Sequence, residues 1–212
     1  MNIRSKKHTV IFDMDGVIVD SMKYHAVAWI TVLEKYGLSL TETDIYKREG
    51  MTGLSSIKDI FYEKNVDLPD EKEFEQIVLD KNKIFKTYTI GLYPLVEKII
   101  GDLKENNTTI GLVTGSPRAA LEHILPDDFK MLFDTIITAD DVKNGKPSPE
   151  PYLRAVDNLE VKKEDVIVVE NAPMGVLSAK SAGLYCIAIQ TTLPDTYLKE
   201  SDKIVYNHEE LY

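Results

Sequence analysis

The sequence has 212 residues, 25 basic against 35 acidic side chains, a net charge of −10, 43% hydrophobic residues and 28% charged ones. That length allows one good core, or a core with a small satellite domain, and the composition excludes a large multidomain assembly and a disordered or low-complexity chain. The acidic balance leaves no basic footprint for nucleic acid or an anionic membrane, so an anionic ligand needs a local positive site.

The opening residues, Met1-Asn2-Ile3-Arg4-Ser5-Lys6-Lys7, are basic and lead into a short strand without an apolar stretch long enough for a signal peptide or membrane span, which reads as cytoplasmic. Three apolar residues, Val10, Ile11 and Phe12, then run into Asp13-Met14-Asp15-Gly16. This predicts a buried strand whose end delivers Asp13, with Asp15 returned to the same side by strand alternation and Gly16 turning the chain. Two close carboxylates repel. A divalent cation, a shared proton, or separate roles as nucleophile and acid/base would each resolve the repulsion. The plainer reading is an exposed turn at a strand end.

Asp20-Ser21 offers a helix cap, followed by Ala26, Trp29, Ile30 and Leu33 at helical spacing and by Gly37 as a stop. Thr41 with Asp44 resembles a capping box, Ser55-Ser56 precede Ile57, and Pro69-Asp70 open a long acidic helix carrying Phe74, Ile77, Val78, Ile84 and Phe85. Only helices are expected between residues 22 and 86. Gly91-Leu92-Tyr93-Pro94 breaks this pattern, and strands then alternate with helices. Strands are predicted over residues 109–113, 135–138, 166–169 and 186–189, with a short edge strand over 203–206; the helices between them centre on 95–103, 117–125, 152–159 and 176–182. The reading is an α/β fold, a doubly wound parallel sheet carrying an inserted all-α cap domain. Residues 1–20 and 88–212 form the core and 21–87 the cap. The single cysteine, Cys186, falls in an apolar strand and is expected to be a small buried hydrophobe.

In such a sheet ligands bind at the carboxyl ends of the strands, so each strand end is expected to deliver chemistry. The second ends in Thr114-Gly115-Ser116-Pro117, with Ser116 suited to cap and Pro117 to start a helix, an arrangement that gathers free N–H groups for an anion. The third leads to Gly145-Lys146-Pro147, whose prolines stiffen a lysine able to neutralise phosphate and aspartates. The fourth ends in Glu170-Asn171, two hard oxygen donors that suit Mg²⁺. Each of these segments read alone is an ordinary helix start or surface loop; four in succession point to a site.

The four segments together, in this order, resemble the haloacid dehalogenase superfamily, and the helical insertion is similar to the cap of its beta-phosphoglucomutase and sugar-phosphate or phosphoglycolate phosphatase branch. The stretch from Asp13 to Trp29, with Asp20-Ser21 and His25, carries the resemblance to beta-phosphoglucomutase. The resemblance implies a Rossmann-like core, Asp13 as phosphoryl-accepting nucleophile, Asp15 as general acid/base, Thr114 as phosphate holder and Lys146 as charge stabiliser. It implies a Mg²⁺ site from Asp13, the Asp15 carbonyl, Glu170 and Asn171. Many relatives carry Glu-Asp where this chain has Glu170-Asn171. The cap stretch Arg48-Glu49-Gly50-Met51-Thr52-Gly53-Leu54 resembles the substrate loop, with Gly53 where an arginine is expected. His25, Arg48, Thr52, Gly53, Gly115, Ser116 and Arg118 are therefore the candidate substrate contacts. The implied activity is a Mg²⁺-dependent phosphatase for a small phosphorylated metabolite, a sugar or polyol phosphate. The alternatives are a phosphosugar mutase and a non-catalytic binding protein on the same fold. The expected assembly is a monomer or weak homo-oligomer.

Overall fold

The computed structural model describes Ile3 and residues 9–211. Apart from Ile3, which is buried in the core, the basic opening segment lies outside the described residues. Six parallel strands, β1 (Thr9–Asp13), β2 (Ile110–Val113), β3 (Thr135–Ile137), β4 (Val166–Glu170), β5 (Tyr185–Ile189) and β6 (Lys203–Val205), form one sheet in the order β3-β2-β1-β4-β5-β6. The order reverses at β1, which has β2 on one side and β4 on the other, and that is where a crevice opens beyond the strand ends.

The strands are continuous apolar runs because both faces are covered. Val10, Phe12, Ile110, Leu112, Ile167 and Val169 point into one core layer, under α5 (Val96–Glu105), α6 (Arg118–Ile124) and α7 (Asp127–Lys130). Ile11, Val113, Val166, Val168 and Cys186 point into the other, under α8 (Glu150–Leu159) and α9 (Pro173–Ser181). The short α7 was not expected from the sequence, since four residues are too few to display a periodic face.

A third apolar cluster holds together the inserted cap of α1 (Met22–Glu34), α2 (Glu42–Tyr46), α3 (Gly53–Glu63) and α4 (Glu71–Phe85), with Trp29, Leu33, Ile57, Phe61, Phe74 and Ile77 at its centre. Its two connections to the sheet run side by side: the Asp20 N–H donates to the Gly91 carbonyl and the Tyr93 N–H to the Ile18 carbonyl, both at 3.0 Å. The capping boxes at Thr41 and Asp70 form as expected. Three helix starts differ. Thr52, not Ser55, caps α3; α6 begins at Arg118 with Pro117 at the cap position; and Ser21 stands at the start of α1 without capping it. The hydroxyl groups of Ser21 and Ser116 are instead engaged with Asp15. No helix of the described residues is long and apolar enough to cross a membrane.

Candidate active site

The strand register assembles the site. Asp13 is opposite Val113 and Phe12 opposite Val169, so Asp13, Thr114 and Glu170 leave the sheet together. Lys146 reaches this point from the loop after β3. Its Nζ donates to Asp13 Oδ1 at 2.5 Å and to Glu170 Oε1 at 2.6 Å. Asp13, Asp15, Lys146 and Glu170 are each 2% exposed or less, so these charges act in a dry setting. Tyr152 donates to Glu170 Oε1, and the Asn171 and Ala172 N–H groups donate to Oε2. Gly175 makes room for this carboxylate: a Cβ there would be 1.7 Å from Glu170 Oε1.

Burial keeps Lys146 from holding its proton less than the carboxylates of Asp13 and Glu170 help it, so its ammonium is stabilised. Burial raises the Asp13 carboxyl, Lys146 opposes the rise, and the charges of Glu170 and Asp15 add to it. One lysine thus faces three acids, a pocket short of positive charge.

Asp15 accepts four hydrogen bonds, Oδ1 from Ser21 Oγ (2.6 Å) and His25 Nε2 (3.1 Å), Oδ2 from Thr114 Oγ1 (3.2 Å) and Ser116 Oγ (3.1 Å). Burial alone would raise this carboxyl, but the His25 ring and the bonds from His25, Ser21 and Ser116 hold it below the usual carboxylate range. On the far side of the ring, Lys81 Nζ lies 2.9 Å from His25 Nδ1. Burial and the Lys81 charge push His25 down, against the pull of Asp15, which makes the ring neutral. In that state Lys81 donates to Nδ1 and Nε2–H donates to Asp15, a polarity fixed by the ammonium having no acceptor. Lys81 itself is brought down to about 8 by burial, with Asp15 and Glu49 resisting.

Among the described residues, two buried oxygens at the crevice find no hydrogen-bond partner, Asp13 Oδ2 and Asn171 Oδ1. Buried acceptors left unpaired cost free energy, and a hard cation bound by oxygen ligands would satisfy both. Asn171 is pressed against the turn after β1, where Gly16 (φ +84°) has no room for a Cβ: one would fall 2.0 Å from Asn171 Nδ2. Glu170, whose oxygens are all engaged, stands behind these donors. Among the described residues no three His, Cys, Asp or Glu side chains are grouped as a metal cage.

The cap closes over this edge. A Cβ on Gly115 would be 2.3 Å from the Gly50 carbonyl oxygen, one on Gly50 would be 2.7 Å from Lys146 Cδ, and one on Gly145 would be 2.7 Å from Thr52 Cγ2. Beneath the loop lies a cavity of about 240 Å³ bordered by His25, Trp29, Glu49, Gly53, Lys81 and Ser116 among others. Arg48 also borders it, but its guanidinium is occupied by Asp59, Glu63 and the Asp44 carbonyl. Arg118 is not brought to the cavity; it pairs with Asp141 at 2.8 Å. Thr52 is engaged in capping α3.

Sequence reasoning missed Ser21 as a partner of Asp15, because a serine before a helix is the ordinary signature of a cap. It missed Tyr152, Gly175 and Lys81. For Lys81 a signal existed: Ile77, Lys81 and Phe85 follow one another at four-residue steps, placing a lysine on the apolar stripe of α4.

Comparison with known proteins follows the same lines. The profile of the haloacid dehalogenase-like hydrolases matches residues 10–189. The phosphorylated carbohydrates phosphatase of Thermotoga maritima is 34% identical over 178 residues, 82% of this chain and 81% of that one. Beta-phosphoglucomutase of Bacillus subtilis is 28% identical over 189 residues, 85% and 82% of the two chains. Among solved structures, beta-phosphoglucomutase from Clostridium difficile superimposes with a TM-score of 0.83 at 27% identity, covering 97% of this chain and 93% of that one. The chain belongs to the haloacid dehalogenase-like hydrolase family, and it is an enzyme.

Proposed function

We propose that the protein is a Mg²⁺-dependent phosphatase that hydrolyses a small phosphorylated metabolite, a sugar or polyol phosphate, through a phosphoaspartate on Asp13. The observation that carries this reading is the division of labour on Asp13: one oxygen is held by Lys146 and the other is buried and unpartnered. Asp13, the Asp15 carbonyl and Asn171 would hold Mg²⁺, which when bound supplies positive charge to the phosphoryl oxygens. Glu170 is a positioning residue in this scheme, fixing Lys146 and the Asn171 backbone.

An Asp13 carboxylate oxygen forms a bond to phosphorus as the ester bond breaks, and the leaving alkoxide takes a proton from the Asp15 carboxyl. Water then attacks the phosphoaspartate, giving its proton back to Asp15 and releasing phosphate. The ionised state favoured by the four donors around Asp15 suits this second step. Thr114 and Ser116, which now donate to Asp15, are the hydroxyls nearest to turn to a phosphoryl group. The closed cap, residues 21–87 in this reading, excludes bulk water during transfer.

Hydrolysis is favoured over a mutase because, among the described residues that border the cavity, every cation is already engaged and none is left for a second phosphate. Arg48 is occupied by acids, Arg118 pairs with Asp141, Lys81 serves His25, and Gly53 has no side chain. The test is phosphate release from a panel of sugar, polyol and glycolate phosphates, with Mg²⁺ and with chelator. Release that needs Mg²⁺ and falls by ~10³-fold or more in Asp13→Asn is the expected result. Isomerised sugar phosphate without net phosphate release would overturn the hydrolase reading in favour of the mutase.

A further inference from the structure

The outer surface of the cap carries a feature that the chemistry at the sheet edge leaves unused. Of the eleven large apolar side chains exposed among the described residues, five fall between residues 54 and 79, on or between α3 and α4: Leu54, Tyr62, Val66, Leu68 and Leu79. The two helices form an antiparallel hairpin. A Cβ on Gly53, at the start of α3, would lie 3.8 Å from Val78 Cγ2 late in α4, whereas Phe61 near the end of α3 meets Phe74 early in α4 with ring centroids 6.5 Å apart. Between them a groove of about 650 Å³ opens to solvent, with Phe74 and Val78 in its floor. Leu54 and Lys58 stand four residues apart on the α3 rim, and Glu71, Glu75 and Leu79 repeat at the same step on the α4 rim. Lys58 Nζ lies 5.9 Å from the Phe74 ring centroid, and among the described residues no ion pair engages Lys58, Glu71 or Glu75 within the chain.

We infer that this face pairs two copies of the chain, α3 of one lying along α4 of the other about a two-fold axis parallel to the groove. The hairpin is self-complementary for that axis. Because α3 and α4 run in opposite directions, the axis exchanges the rims without moving them along the groove, so Leu54 meets the second copy's Leu79. One step of four residues advances about 6 Å on either helix, which brings Lys58 to the second copy's Glu75. A two-fold makes each of these contacts twice. An apolar floor between oppositely charged rims is the composition of a helix-bundle seam, in which the apolar residues drive association and the charges set the register. The acidic rim and the net charge of −10 turn the face away from an anionic membrane and from nucleic acid. Leu54 and Val78 border both this groove and the catalytic cavity, so the seam backs onto the wall that receives the substrate.

Sedimentation velocity of the full chain, loaded at ~1 to ~100 μM, tests the inference, with a dimer of Kd about 10 μM as the expected result. Lys58→Glu and Glu75→Lys each set like charges opposite one another at two places in the dimer, and each is expected to raise Kd by about tenfold or more. The two together recreate the pairing with its signs exchanged and are expected to return Kd to within about threefold of the parent. Both positions are exposed, so the substitutions leave the fold of the cap intact. A chain that is monomeric throughout this range overturns the inference and gives the groove to a different protein. A dimer unmoved by the single variants, a double variant no tighter than the singles, or assembly beyond a dimer overturns it as well.

Discussion

The sheet edge and the cap handle charge in opposite ways. At the edge, Lys146 joins Asp13 to Glu170, Tyr152 and two backbone N–H groups complete Glu170, and four donors surround Asp15; the unpartnered atoms are the two oxygens suited to a cation. In the cap, Arg48 is neutralised on the outer side by Asp59 and Glu63, whereas Glu49 and Lys81 meet the cavity with no ion-pair partner among the described residues. Chemistry common to many phosphate esters needs a fixed constellation, and a sheet edge with set register provides it. The cap's share of the cavity wall comes instead from α1, α4 and the turn after α2, which carry His25, Lys81 and Glu49.

The largest effect that would sharpen this contrast is expected from Lys146→Ala. Removing the ammonium leaves Asp13 and Glu170 buried beside each other without compensation, a change of ~3–5 kcal/mol in unfolding free energy. Urea denaturation of the variant measures it, and a loss under 1 kcal/mol would mean that the edge is less dry than described.

In the cap the sign reverses. Lys81 has its proton affinity lowered from 10.5 to about 8, so the folded state resists the ammonium more than the unfolded chain does. The resulting destabilisation is fully present below pH 8 and is lost as pH rises toward 10.5, because in that interval the unfolded state binds more protons. Lys81→Met is accordingly expected to be more stable than the wild type at pH 7 by ~1–3 kcal/mol, with the gap closing by pH 10.5, while phosphate release falls. Denaturation curves at the two pH values decide it; a destabilised variant at pH 7 would break the comparison between the regions.

The smallest effect is expected from Asn171→Asp. A carboxylate in place of the amide adds negative charge to the donor set, so the Mg²⁺ concentration for half-maximal activity should fall by about tenfold, ~1.4 kcal/mol. A Mg²⁺ titration of phosphate release reads this directly, and an unchanged midpoint would argue that Asn171 Oδ1 is not a ligand.

Much of the fold was legible because the strands are apolar on both faces and short, so Val10-Ile11-Phe12 and Val166-Ile167-Val168-Val169 announce themselves without reference to anything distant. The members of the site at strand ends could be named for the same reason, since strand polarity alone sends Asp13, Thr114 and Glu170 to one edge. What the sequence left open depends on contacts across long separations. Lys81 meets His25 from 56 residues away, and nothing local marks that pair. Glu170 and Asn171 are neighbours with equally suitable oxygens, and only the occupation of Glu170 by Lys146, Tyr152 and backbone N–H groups separates the positioning residue from the free donor. Ser21 and Ser116 were assigned to caps because a hydroxyl at a helix start serves a cap or a ligand with identical local sequence.

The close approach of Gly50 to Gly115 is a contact of main chain with main chain. It leaves the side chains at Glu49, Met51 and Leu54, which border the cavity, out of the contact that seats the lid, so those positions are the natural ones to vary. A library confined to those three codons would diversify substrate range on an unaltered reaction centre, and the loop is the place where an engineer, or divergence after gene duplication, would begin.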